Sequence, residues 1–180
     1  HFFSTMWGVY FFSGGVFAAL ALNAVIIGLA RSHGRLTGVV NDDHSHDLGK
    51  LLFGFSVFWA YIAFSQYFLI WYANIPEETA YFLFRQTEWS LLTYLLVVGH
   101  FVVPFLILLP RPAKRNYKLL MVMGFFLLFI HIIDMVWIIR PMAYLKTDAT
   151  DPGVSGIWLD IAGIAGVVCL YAGFLIRRIY

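Results

Sequence analysis

LLMVMGFFLLFIHIIDMVWII, residues 119–139, is an apolar run of membrane-spanning length that carries two ionisable side chains, His131 and Asp134. A helix needs about 20 apolar residues to cross roughly 30 Å of hydrocarbon. Backbone polar groups in lipid must pair within the chain, so such a run reads as a helix. With its flanks the span covers about 117–139, and four further stretches qualify: about 6–30, 48–73, 90–109 and 156–176. Residues 1–180 are therefore expected to form one all-α integral membrane bundle of five transmembrane helices.

Composition agrees. The 180 residues are 61% hydrophobic and 12% charged, whereas soluble domains sit near half apolar and about a quarter charged. The net charge of +2 argues against a nucleic-acid partner. The single cysteine, Cys169, cannot form an internal disulfide, an iron–sulfur cage or a CxxCH haem attachment. The chain opens at His1 in an aromatic apolar stretch without a basic n-region. It therefore reads as a piece of a longer protein with no cleavable signal peptide in view.

Basic residues orient the spans. Arg31, Arg35, Lys50, Arg111, Lys114, Arg115, Lys118, Arg177 and Arg178 fall on one side, and only Arg85, Arg140 and Lys146 on the other. The excess marks the cytoplasmic side, which puts the N-terminus outward and the C-terminus inward. Glu77, Glu78, Glu88, Asp148 and Asp151 lie on the outward connections, and Trp71, Tyr72, Trp89, Trp137 and Trp158 near the outward span ends, as an aromatic belt requires.

Ionisable residues inside a span are costly and point to function. Span two carries Gln66 and Tyr67, span three His100, span four His131 and Asp134, and span five Asp160 near its outer end. At about 1.5 Å per residue, Gln66 lies roughly 12 Å from the outer end, His100 about 15–18 Å, His131 about 13 Å and Asp134 about 9 Å. All fall in the outer half of the membrane. His131 and Asp134, three residues apart, share a helix face and can hydrogen-bond. Such a group suits proton-coupled chemistry, such as accepting the protons of a quinol or relaying protons without a ligand. Interhelical hydrogen bonding alone is the structural alternative. Pro104 frees the carbonyl of His100 from its helical bond.

At the inner face Asp42, Asp43, His44, His46 and Asp47 precede span two. Asp47 as an N-cap with acids in the first turn is the plainest account. A proton-collecting mouth at His44, His46 and Asp47, or a metal site, are the alternatives. Pro76 ends span two, and Glu77 with Glu78 follows in a connection running from Asn74 to Trp89.

Three stretches carry a resemblance. They are His46 to Phe53 with Phe58 to Tyr67 and Leu69 to Thr79; Gly99-His100-Phe101-Val102-Val103-Pro104-Phe105; and the opening Met6 to Gly15. Together they resemble the ActF-type membrane subunits of bacterial alternative complex III, a quinol:cytochrome c oxidoreductase, within the NrfD/PsrC-like membrane proteins. The resemblance implies the C-terminal half of a subunit built from two four-helix bundles plus extra helices, in the bacterial inner membrane. It implies a quinol site or a proton path, with menaquinone or ubiquinone as the quinone. It also implies partner subunits: an ActC-like membrane protein, an iron–sulfur subunit and multihaem c-type cytochromes, which hold the haem and iron–sulfur clusters, and a terminal oxidase beyond them. On this reading the chain is a subunit of an oxidoreductase that is not catalytic alone, embedded in lipid, with Gln66, Tyr67, His100, His131 and Asp134 as quinol or proton residues. The alternatives are a structural scaffold subunit, or a b-type cytochrome with His100 and His131 as axial ligands.

Overall fold

The computed structural model describes residues 4–36, 38–87, 89–144 and 157–179, which are helical with short connections and contain no strand. Glu88, Lys146, Asp148 and Asp151 lie outside the described residues, as do the side chains of Trp158 and Asp160. The helices are α1 (Met6–Ser32), α2 (Asp42–Ala73), α3 (Pro76–Thr87), α4 (Ser90–Leu96), α5 (Val103–Leu108), α6 (Arg111–Arg115), α7 (Tyr117–Tyr144) and α8 (Ile157–Ile179). A π-helical turn, Val97–Val102, joins α4 to α5, so α4, the turn and α5 act as one span.

Among the described residues four helices are long and apolar enough to cross a membrane: Met6–Ser32, Asp42–Ala73, Ser90–Leu108 and Tyr117–Arg140. Five were expected. The fifth stretch falls on α8, some of whose side chains lie outside the description. Each of the four spans buries only 28–39% of its most apolar window inside the chain. Phe12, Phe64, Leu91, Tyr94, Val122 and Phe129 stand more than half exposed. Helices apolar on all sides that bury so little of themselves suit hydrocarbon surroundings, not water.

The chain divides into two compact units, His1–Ile139 and Arg140–Tyr180. In the first, Tyr10, Phe17, Ala21 and Ala24 of α1 pack with Leu52, Trp59 and Ile62 of α2, Leu108 of α5, and Leu120, Met123 and Leu127 of α7. Close approach of α1 and α7 depends on two glycines. A Cβ on Gly124 would meet the Ala21 carbonyl oxygen at 2.6 Å, and one on Gly28 would meet Met121 Cβ at 2.6 Å. Small residues at a crossing let two backbones touch, which is how membrane helices gain contact without a hydrophobic driving force. In the second unit, the exposed side chains of α8 include Ile161, Ile164, Val167 and Leu170.

Two local expectations are corrected. Helix α2 begins at Asp42, and its N-cap is Asn41, not Asp47. Asn41 adopts extended backbone, and its Oδ1 accepts from the amides of Asp43 and His44 at 3.0 Å each. The amide side chain immediately before the acid pair thus satisfies the free amides first. Asp47, a turn further in, pairs instead with Lys50 at 2.7 Å. The connection from Asn74 to Trp89 is no loop either, because most of it is α3. Asn74 closes α2 in the left-handed conformation (φ 50°), and Pro76 then starts the new helix with Glu77 and Glu78 in its first turn. Proline and acids at a helix start are favoured by the missing amide and the dipole.

Candidate functional site

Burial follows a three-four spacing on each main helix. On α7 the buried positions are Leu120, Met123, Leu127, Ile130, Asp134 and Trp137. On α2 they include Leu52, Ser56, Trp59, Ile62 and Gln66. Asp134 and Gln66 thus sit on the core-facing stripes, and the chain must partner them. His131 lies at the edge of its stripe and is half-buried.

Asp134 is fully buried. Its Oδ1 accepts from the Tyr10 hydroxyl of α1 at 2.6 Å, the length of a strong charge-assisted bond. Its Oδ2 lies 3.9 Å from His100 Nδ1, beyond hydrogen-bond range. The expected bond between His131 and Asp134 gives way to this one from Tyr10, and His131 Nδ1 is buried without a partner. The His131 ring centre is 6.0 Å from that of His100. His100 is held by rings, Phe17 stacked at 5.2 Å and Trp59 tilted at 4.1 Å. Its carbonyl, which Pro104 cannot supply with an amide hydrogen, accepts from the Ser56 hydroxyl at 3.4 Å. The proline therefore does what its position predicts, and the backbone answers with the π turn.

Beside this group lies a cavity of about 960 Å³, near the upper size of small-molecule sites. Half of its lining residues are aromatic, among them Trp7, Trp59, Phe64, Phe82 and Phe101, and its polar lining includes Tyr10, Gln66, Tyr67 and Arg85. Tyr10 thus belongs both to the cavity wall and to the buried group. The Gln66 Oε1 accepts from Ser4 at 2.9 Å, while its Nε2 is buried without a hydrogen bond. The Tyr67 hydroxyl accepts from Gln86 Nε2 at 3.2 Å.

Arg85 of α3 is 2% exposed. Its guanidinium lies 3.5 Å from the centre of the Tyr81 ring and 4.9 Å from that of Trp137. Its three nitrogens donate to the carbonyls of Trp137 (3.3 Å), Ile138 (3.1 Å) and Tyr81 (3.1 Å). Pro141 has no amide hydrogen for the Trp137 carbonyl, so Arg85 caps it, as Ser56 caps His100. Burial pushes the guanidinium down to about 10, still above neutral pH. Among the described residues no carboxylate lies within ion-pair range of Arg85.

The structure therefore gathers His100, His131 and Asp134, sets Gln66 and Tyr67 on the neighbouring cavity, and leaves His44, His46 and Asp47 at the other end of α2. There Asp42 pairs with Arg31 and Asp43 with Arg115, each at 2.8 Å. Sequence reasoning missed Tyr10, Trp59, Ser56 and Arg85 as site residues. A signal existed for Ser56 and Arg85, because each of the two prolines leaves a carbonyl that needs a donor. Among the described residues no group of three or more His, Cys, Asp or Glu side chains is arranged to hold a metal ion. Comparison with known proteins gives no matching family model and no matching curated relative.

Proposed function

We propose that this chain is a membrane subunit of a respiratory quinol:cytochrome c oxidoreductase of the alternative complex III type, contributing a quinol site and proton path in the periplasmic half of the bacterial inner membrane. One observation carries the reading: Tyr10 lines the aromatic cavity and also donates to buried Asp134 at 2.6 Å. A flat, apolar ring with two hydroxyls suits such walls, where stacking and edge contacts hold it. On oxidation both quinol O–H bonds break. One proton passes to the Tyr10 oxygen as Tyr10 gives its own to Asp134, and the other leaves to water at the outer face. The two electrons go to an iron–sulfur or haem centre of a partner subunit. In this assignment α8 is the fifth span, and the basic ends of α1, α6 and α7 face the cytoplasm. His44, His46 and Asp47 stand at that face as a proton entry.

The b-type cytochrome reading has less support. Phe17 and Trp59 pack directly on His100, which fills the space a porphyrin face needs. The test is quinol:cytochrome c turnover of the assembled complex with Asp134→Asn and with Tyr10→Phe. A positioned acid–base group contributes about 10²–10⁴-fold, so turnover should fall at least about tenfold while assembly is kept. Wild-type turnover in both variants would reject the proposal in favour of a scaffold subunit.

A further inference from the structure

We infer that the buried group holds one water molecule, bound between Asp134 Oδ2, His100 Nδ1 and Trp59 Nε1. Each of these three atoms is buried and makes no well-aligned hydrogen bond. Asp134 and His100 are 0% and 1% exposed, and Trp59 is 4% exposed. Buried polar atoms are ordinarily paired, by protein or by ordered water making about three bonds. Three orphans in one place are too many to leave so.

Their spacing points to a shared partner. His100 Nδ1 and Asp134 Oδ2 stand 3.9 Å apart, too far for a direct bond. A water about 2.8 Å from each would see them at an angle of about 90°, acceptable for its geometry. Trp59 Nε1 interacts with the same carboxylate and with the Tyr10 hydroxyl but is not aligned for a direct hydrogen bond to either, and the Trp59 ring centre is 4.1 Å from that of His100. The bonding pattern closes. The indole N–H donates to the water, and the water donates one hydrogen to Asp134 Oδ2 and the other to a neutral His100 Nδ1. The opposite carboxylate oxygen already accepts from Tyr10. A continuous chain results, Tyr10 to Asp134 to water to His100, with the His131 ring next at 6.0 Å from His100. This chain does not depend on what the cavity binds, so it stands or falls apart from the quinol reading.

The test is an experimental density map of the full-length protein in lipid, at a resolution that shows ordered waters, for the wild type and for Trp59→Phe. The wild type should show one density peak within about 3.2 Å of all three atoms. Trp59→Phe keeps an aromatic side chain, though a smaller one, but loses the donor, and should weaken or remove that peak while the Tyr10–Asp134 bond persists. A wild-type map with no peak there, or with His100 or Trp59 bonded directly to Asp134, overturns the inference. So does an undiminished peak in Trp59→Phe. If that variant does not fold, the wild-type map alone decides.

Discussion

Arg85 and Asp134 are a basic and an acidic side chain buried in one bundle, and the structure treats them differently. Asp134 accepts its well-formed hydrogen bond from a tyrosine hydroxyl, whereas Arg85 is spread over three carbonyls and two rings. Replacing Arg85 with Met leaves the Trp137 carbonyl, which Pro141 cannot serve, without its donor. At about 1–3 kcal/mol per unsatisfied buried group, the melting temperature of the purified protein should drop clearly. Arg85→Lys should recover only part of the loss, because a single ammonium cannot span the Trp137 and Ile138 carbonyls while stacking on Tyr81. An Arg85→Met variant as stable as wild type would show that water already serves that carbonyl. At this scale the sequence marked His100, His131, Asp134 and Gln66, since ionisable and amide side chains stand out in apolar runs. Tyr10 and Trp59 did not stand out, because both residue types are ordinary in membrane helices. Counting residues gives depth along a helix but not which neighbour a side chain meets.

Among the elements, the span from Ser90 to Leu108 owes its shape to Pro104. Pro104→Ala returns an amide hydrogen to the His100 carbonyl, which competes with Ser56 and favours a regular α-helical turn over the π turn. His100 should then rotate away from Asp134. The expected result is normal assembly with reduced quinol turnover, and unchanged turnover would mean that the π turn does not position His100. At the other end of α2, Asn41→Ala should cost about 1 kcal/mol of stability, read in thermal melting, whereas Asp47→Ala should cost less than that, because Asp47 only pairs with exposed Lys50. The long apolar helices and the break at Pro104 were legible from periodicity and proline chemistry. Helix α3 was not. Its few charges and its proline resembled a solvated connection, although Pro76 with Glu77 and Glu78 forms an ordinary helix start. The cap was placed six residues late for a similar reason: several acids in a row could each have served, and only the backbone conformation at Asn41 decides.

For the whole molecule, the four spans bring the α1–α2 connection and α6 to one end of the bundle and α3 to the other. In a Cys169→Ser background, single cysteines at Val39 and Pro112 should react with a membrane-impermeant reagent from the same side, the cytoplasmic one. A cysteine at Glu77 should react from the opposite side. Labelling of Val39 and Glu77 from one side would break the topology. The measurement closest to the central claim is an experimental structure of the intact membrane assembly soaked with its quinone. The account predicts a ring in the cavity, stacked among Trp7, Trp59 and Phe82, with an oxygen within hydrogen-bond distance of the Tyr10 hydroxyl. A cavity filled by phospholipid chains, with quinone density elsewhere in the assembly and none against Tyr10, would contradict it.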